Sequence, residues 1–235
     1  MASSRRIKKP KSLTLLALEN IRQGITTGAY ALGSPLYEKH LAKEFGISKT
    51  PVREALVQLQ REGLVVVMPH SGTFVFETAN GEVSELCELR LILETNALQL
   101  AMQRQGDRLI AELDAILVAM REALRKKQVA QYRDLDAQFH KAFFEHCGNS
   151  YLVASYSLIE AKVQTLRVNL ITPLPRLAAL SMDEHVQITN ELREGDVGKA
   201  LKVLSEHIKR ARDLMRGLKE VEPVNVGKFV GKHIS

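Results

Sequence analysis

Hydrophobic residues recur every three or four positions through the first quarter of the chain, which is the spacing of an amphipathic helix. One such stripe covers 12–25, and a second covers 36–45 and stops at Gly46. A third follows Ser48 and stops at Gly63. Because glycine commonly ends helices, the pattern predicts three short helices.

The start of the third helix and the segment after it carry further signals. Ser48 is expected to cap the helix with its hydroxyl, and Pro51 lies in its first turn. Residues 64–68 and 73–76 are rich in valine and phenylalanine, with a Pro-His-Ser-Gly turn at 69–72 between them, which predicts a β-hairpin. Three helices with a tight turn before the third, followed by a hairpin, predict a winged helix-turn-helix domain.

Beyond residue 81 only helical stripes remain. Four of the five breaks between them contain glycine or proline, and the fifth stripe opens on Ser181-Met182-Asp183-Glu184, which is a capping-box sequence. The pattern predicts an all-α antiparallel bundle of about six helices, over 82–105, 107–127, 129–146, 150–171, 182–194 and 196–219.

The predicted fold class is therefore mainly α, with an N-terminal winged helix-turn-helix followed by the helical bundle. We find no internal repeat of fixed period. The predicted boundaries are a basic arm at 1–11, the winged domain at 12–76, a linker at 77–81, the bundle domain at 82–220 and a tail at 221–235.

Composition narrows the class of protein. The chain is 45% hydrophobic and 26% charged, as expected of a folded globular protein. No uninterrupted apolar stretch is long enough to span a membrane, and the first eleven residues lack the apolar centre of a signal peptide. Two cysteines are too few for a disulfide framework. We expect a cytoplasmic protein with no membrane partner.

The positive charge is concentrated near the N-terminus. The net charge is +6, and residues 1–76 hold eleven Lys and Arg against five Asp and Glu, whereas the remainder holds twenty-two of each. Five of the eleven cations lie in the arm, where no acidic residue accompanies them. A basic arm beside a small domain indicates a polyanion partner, although a merely solvated terminus would have the same composition.

The helix that follows the tight turn carries the candidate DNA contacts. In a helix-turn-helix this helix enters the major groove with its N-terminal residues at the base edges. Hydroxyls and first-turn amides suit phosphate oxygens, and Lys and Arg can donate to guanine. The alternative is a protein-binding domain whose cations are solvated. The candidates are Ser48, Lys49, Thr50 and Arg53, flanked by Lys39 and the hairpin tip around Gly72.

The bundle contains a candidate metal site. Asp136 and His140 are four residues apart on one predicted helix and therefore share a face. His185 and His207 lie on two later helices. Three imidazoles and a carboxylate converging inside a bundle would suit Zn²⁺ or a similar transition metal. The alternative is that each histidine is an ordinary core or surface residue.

Several runs in the first domain resemble the N-terminal domain of GntR-family bacterial transcription regulators. They are 33–42, the run 45–56 that ends in Ser-Lys-Thr-Pro-Val-Arg-Glu-Ala-Leu, Leu59, 62–64 and 71–75. The resemblance implies that operator DNA is contacted by Lys39, Lys49, Arg53 and Gly72. Relatives carry Arg where this chain has lysine at 39 and 49, and because a lysine lacks the guanidinium fork we expect phosphate or single-bond contacts there.

The bundle resembles the FCD ligand-binding domain of the FadR subfamily over roughly 82–218. Many members bind a divalent metal through an Asp-x-x-x-His pair and two later histidines, and commonly bind small organic acids whose carboxylate completes the coordination. The resemblance assigns the metal to Asp136, His140, His185 and His207. It implies that Arg90 pairs with the acid, and the alternative for Arg90 is a salt bridge to Glu94.

We therefore interpret the chain as a homodimeric transcription regulator, and not an enzyme, that binds double-stranded operator DNA under control of a small organic acid. Its cofactor is expected to be a divalent transition metal, zinc first, with nickel, manganese or iron as alternatives. Two other hypotheses remain. One is a regulator that senses the metal directly. The other is a metal-dependent hydrolase, for which Glu184 is the only general base visible in the sequence.

Overall fold

The computed structural model describes residues 12–78, 81–168 and 175–221. The predicted basic arm, part of the predicted linker and almost all of the predicted tail lie outside the described residues. The described chain forms two compact units. The first consists of residues 12–78 together with 157–168, and the second of the remaining described residues.

The described residues form eight α-helices and one two-stranded antiparallel sheet. This confirms the predicted fold class, a winged helix-turn-helix followed by a helical bundle. In chain order the elements are α1 (Leu13–Thr26), α2 (Glu38–Phe45), α3 (Lys49–Arg61), β1 (Val65–Met68), β2 (Gly72–Val75), α4 (Glu82–Arg125), α5 (Val129–His146), α6 (Ser150–Leu166), α7 (Pro175–Arg193) and α8 (Val197–Val221).

Helix ends in the first unit follow ordinary capping chemistry. The Ser12 hydroxyl accepts a hydrogen bond from the Leu15 amide, which satisfies one of the amides exposed at the start of α1. Gly46 ends α2 in the left-handed conformation, with φ 66°, which a residue without Cβ adopts at little cost. The tight turn before α3 therefore has a local cause in the sequence.

The wing is a regular hairpin. β1 and β2 pair antiparallel, with Val65 opposite Val75 and Met68 opposite Gly72. The amide of Leu36 donates to the carbonyl of Thr73 at 2.8 Å, which ties the segment before α2 to the hairpin. Large apolar residues from all three helices and the hairpin fill the core of this unit: Ile21, Ile25, Leu41, Val52, Leu59 and Val75.

One expectation at the start of α3 is wrong. Ser48 is the N-cap residue, but its side chain makes no capping hydrogen bond. A cap hydroxyl accepts from the second or third helical residue, and the third here is Pro51, which has no N–H. Ser48, Lys49 and Thr50 are all exposed, so this helix start faces solvent.

The second unit is entirely helical in its described part. α4 packs against α5, α7 and α8, and α7 packs against α8. The break predicted at residue 106 is a kink within α4, where Gln105 has the non-helical angles φ −144° and ψ 36°. The Arg104 guanidinium, next to the kink, donates to the carbonyl of Cys147 at the end of α5.

The predicted start of the fifth bundle helix is also wrong. The Ser181–Glu184 sequence lies inside α7, which is described from Pro175 onward. Proline is well suited to the first turn of a helix because the amide it lacks has no intrahelical partner there. His185 consequently lies in the middle of α7 and not at its start.

None of the helices in the described part of the chain combines the length and the apolar character needed to cross a lipid bilayer.

Candidate functional site

The three histidines singled out in the bundle sequence meet inside the second unit. His140 on α5, His185 on α7 and His207 on α8 each offer a ring nitrogen, and these three atoms lie within 4.8 Å of one another. All three side chains are buried. The Nε2 atoms of His140 and His185 are 3.3 Å apart. Within the described residues, the structure thus brings together imidazoles that lie on three different helices.

His140 is held by an acidic side chain on α4. Its Nδ1 lies 2.7 Å from Glu94 Oε2. Since an ionised carboxylate can only accept, the imidazole donates from Nδ1. A neutral ring then has its lone pair on Nε2, the atom that faces His185.

His207 has an equivalent arrangement on the other side of the cluster. Its Nδ1 donates to Glu184 Oε2 at 2.7 Å, and Glu184 Oε1 accepts from Arg210 Nε at 2.9 Å. Burial raises the pKa of the Glu184 carboxyl, but the hydrogen bonds from His207 and Arg210 outweigh burial and lower its pKa to about 2. Burial lowers the pKa of His207, which favours the neutral ring with its lone pair.

Asp136 lies beside the cluster. Its Oδ1 is 3.7 Å from His185 Nε2, and the residue is one helical turn before His140 on α5. The ring of Phe139 stacks on His185, with centroids 4.1 Å apart and planes inclined by 23°. The cluster therefore has an apolar wall on one side and a carboxylate on another.

The donor set fits a transition metal ion. Imidazole nitrogens suit Zn, Ni, Cu and Fe, and a metal requires the neutral ring with its lone pair directed inward. Metal-binding histidines generally donate their other ring N–H to a carboxylate, as His140 and His207 do to Glu94 and Glu184. The residues present could hold a divalent ion, which would supply Lewis-acid binding of an anionic group.

Arg90 is buried, and its guanidinium is paired within the protein. Its Nε donates to Glu94 Oε1 at 2.5 Å, and its Nη2 lies 3.3 Å from His140 Nδ1. Burial disfavours the charged guanidinium, but the charge and hydrogen bond of Glu94, together with the neighbouring Tyr156 and Cys87, raise the pKa of Arg90 overall. This is the salt bridge that the sequence left open as the alternative to effector binding.

The candidate DNA contacts lie on the surface of the first unit. Lys39 is exposed on α2, and Gly72 is exposed at the tip of the wing. Gly72 has φ 115°, and a Cβ placed on it would meet no atom within 4 Å. The backbone conformation favours glycine there, while the space around it is open. Ser48, Lys49 and Thr50 share the exposed start of α3.

Arg53 forms a two-pronged ion pair across the helix-turn-helix. Its Nε and Nη2 donate to the two carboxylate oxygens of Glu38 on α2, at 2.9 and 2.8 Å. The hydrogen bond from Arg53 lowers the pKa of Glu38. The Arg53 side chain is nevertheless 65% exposed. The arginine is thus held in one orientation on an accessible surface.

Sequence reasoning missed parts of both sites. Glu38 and Arg53 are fifteen residues apart, and nothing local signals that they pair. Arg210, which bonds Glu184, was also missed, although its position three residues after His207 on α8 was a usable signal.

Two family models match the chain. The one described as "FCD domain" matches residues 85–210, and the one described as "Bacterial regulatory proteins, gntR family" matches residues 15–75. Together the two matches include every described residue that we singled out as a DNA contact or a metal ligand.

Individual relatives and solved structures agree with these matches. An "Uncharacterized HTH-type transcriptional regulator in unstable DNA locus" from Streptomyces ambofaciens is 29% identical over 86% of this chain and 85% of its own length. The "HTH-type transcriptional repressor NanR" of Klebsiella aerogenes is 27% identical over 88% and 87%, respectively. The structure titled "E. coli McbR/YncC" superposes with a TM-score of 0.77 at 23% identity, covering 89% of this chain and 99% of that one, which shows a shared fold.

Proposed function

Because the chain belongs to the GntR family of bacterial transcription regulators and carries an FCD domain, we propose that a small organic acid bound at a divalent metal in the FCD domain controls its affinity for operator DNA. The relatives are transcriptional regulators, so the chain is not an enzyme and the hydrolase hypothesis is wrong. The buried histidine cluster, with two of its rings held by carboxylates, is the observation that carries this proposal.

The proposed DNA-binding domain comprises residues 12–76. Its contacts are the exposed start of α3 and the wing, since amides at a helix start and a wing glycine can approach phosphate closely. Arg53 is expected to contact a base edge, because Glu38 already directs its guanidinium. The proposed set is Lys39, Ser48, Lys49, Thr50, Arg53 and Gly72.

The proposed effector domain comprises residues 82–220. Its metal ligands are Asp136, His140, His185 and His207, with zinc as the first candidate and nickel, manganese or iron as alternatives. The effector is a small organic acid whose carboxylate would provide a further oxygen donor beside the histidines. The burial of the cluster and the lowered pKa of His207 support this set.

We also propose that the regulator acts as a homodimer. A single winged domain contacts few phosphates, whereas two domains on neighbouring half-sites multiply affinity and specificity. Effector binding would then change how the two domains of the dimer match the half-site spacing.

Metal analysis and DNA selection test this proposal together. The purified protein is analysed for metals and for small molecules released on denaturation, and a bound sequence is selected from randomised duplexes. We expect about one metal ion per chain and a near-palindromic selected site. A protein that selects DNA but retains no divalent metal would contradict the metal-dependent part.

A direct metal sensor is the second candidate, favoured by the same cluster. This candidate differs from the acid-controlled regulator in that the metal itself would be the signal and no acid would be needed. Titrating operator affinity with metal and chelator in the absence of acid separates the two. A large change under those conditions supports the sensor, and no change supports the acid-controlled regulator.

A further inference from the structure

Two sets of three hydrogen-bonded side chains each end at one histidine of the cluster. In one, Arg90 donates to Glu94, and Glu94 accepts from His140 Nδ1. In the other, Arg210 donates to Glu184, and Glu184 accepts from His207 Nδ1. In both, a guanidinium holds a carboxylate and the carboxylate holds an imidazole.

We infer that Glu94 and Glu184 are positioning residues of the proposed metal centre, fixing His140 and His207 in the tautomer whose Nε2 lone pair faces the centre. The inference rests on the proposed metal-binding function and adds to it the residues that set its affinity. It also gives Arg90 a different role from the one expected from the sequence, because Arg90 holds Glu94 and itself lies against the His140 ring, 3.3 Å from Nδ1 and 3.4 Å from Nε2.

Each of these imidazole rings has two possible neutral tautomers. A neutral imidazole in water exchanges its proton between the two nitrogens, and only one of the two forms directs a lone pair at a given point. A carboxylate fixed at Nδ1 selects the Nδ1–H form, because the other form would place two electron-rich atoms 2.7 Å apart. Each pair thus prepares Nε2 for a ligand before the ligand arrives.

The arginines hold the two carboxylates in place. Glu94 is fully buried, and a buried carboxylate needs a charged partner at hydrogen-bond distance. Arg90 lies one helical turn before it on α4 and is equally buried, so the two charges neutralise each other. Arg210 does the same for Glu184 at a less buried position.

A histidine–glutamate pair outside the cluster provides a matched control. His146 Nε2 lies 2.6 Å from Glu112 Oε2 within the same unit, and His146 is not a member of the triad. Glu112→Gln therefore makes the same chemical change as Glu94→Gln or Glu184→Gln without touching a proposed ligand ring. Glutamine is isosteric, and its amide can turn either an acceptor or a donor toward the ring, so it no longer selects one tautomer.

The experiment uses the full chain and Zn²⁺ in competition with a chromophoric chelator. We expect Glu94→Gln and Glu184→Gln each to lose roughly 10- to 100-fold in Zn²⁺ affinity, as carboxylates behind metal-binding histidines typically do, and Glu112→Gln to match the wild type. Equal affinity in all four proteins would overturn the inference. If Glu94→Gln fails to fold by circular dichroism, the partly exposed Glu184 decides the result through its own variant.

A second readout does not depend on the metal. Imidazole nitrogen chemical shifts of the metal-stripped protein report the tautomer of each ring. We expect His140 and His207 in the Nδ1–H form in the wild type, and mixed forms for the ring beside each substituted glutamate. A wild type that binds no metal would defeat the proposed function, but the tautomer shifts would still decide the role of the glutamates. Wild-type rings in the Nε2–H form would overturn the inference that Glu94 and Glu184 select the tautomer.

Discussion

Arg53 shows how one residue can be both exposed and well ordered. Its guanidinium is held by both oxygens of Glu38, yet most of the side chain is accessible. A surface ion pair of this kind contributes little to stability. At the proposed DNA interface the arginine would already be oriented when DNA arrives, which would reduce the ordering cost of binding.

We predict that Arg53→Ala weakens operator binding by about 1–3 kcal/mol and relaxes sequence preference at one base position. The thermal midpoint should be nearly unchanged, since the side chain is exposed. Fluorescence anisotropy on operator and on single-base variants of it measures both effects. Arg61→Ala, at the other end of the same helix, is the control and should bind as the wild type does.

At His185 we likewise predict a loss of binding without a loss of structure. His185→Ala should abolish metal retention, because the ring is central to the cluster, while the far-ultraviolet circular dichroism stays helical. His146→Ala is the matched control and should retain the wild-type metal content, since its ring pairs with Glu112 outside the cluster. Equal metal in the His185 variant and the wild type would show that the ligand set is wrong.

At the scale of elements, the start of α3 differs from that of α1 in a way that bears on the proposed DNA contacts. Ser12 caps α1 through the Leu15 amide, whereas Ser48 makes no cap because Pro51 removes one of the amides it would serve. The first-turn groups of α3 are therefore available to a phosphate, although this leaves the helix itself slightly less stable.

We predict that Ser48→Ala changes the free energy of unfolding by less than about 0.5 kcal/mol, and that it lowers operator affinity. Ser12→Ala should do the reverse, costing about 1 kcal/mol of stability because a real cap is lost. Chemical denaturation and operator titration of the two variants measure the pair of effects. A Ser48 variant with lower stability and unchanged operator affinity would indicate a structural role for this hydroxyl.

The sequence predicts most elements well because helical spacing, glycine and proline are local signals. Predictions from the sequence are less accurate where tertiary packing determines the structure. The break expected at residue 106 is present as the kink at Gln105, but the capping-box sequence at 181–184 lies inside α7. The spacing of Asp136 and His140 is visible on one helix, but contacts such as Glu94 with His140 depend on how different helices are rotated against each other.

At the scale of the whole molecule, the proposed metal joins three helices that are distant in the sequence. A ligand that binds only the folded state raises stability, by about 2.7 kcal/mol at a concentration one hundred times its Kd. We predict that Zn²⁺ raises the thermal midpoint of the wild type and slows amide exchange in α5, α7 and α8. The His185→Ala protein should show neither effect, and a similar gain in that variant would place the ion elsewhere.

The most direct measurement is operator affinity across a panel of small organic acids, made on metal-loaded wild type, metal-stripped wild type and His185→Ala. The account predicts that at least one acid changes the operator Kd of the metal-loaded wild type severalfold and leaves the other two proteins unaffected. If every acid that binds leaves the operator Kd unchanged, or shifts it equally in all three proteins, the account is contradicted.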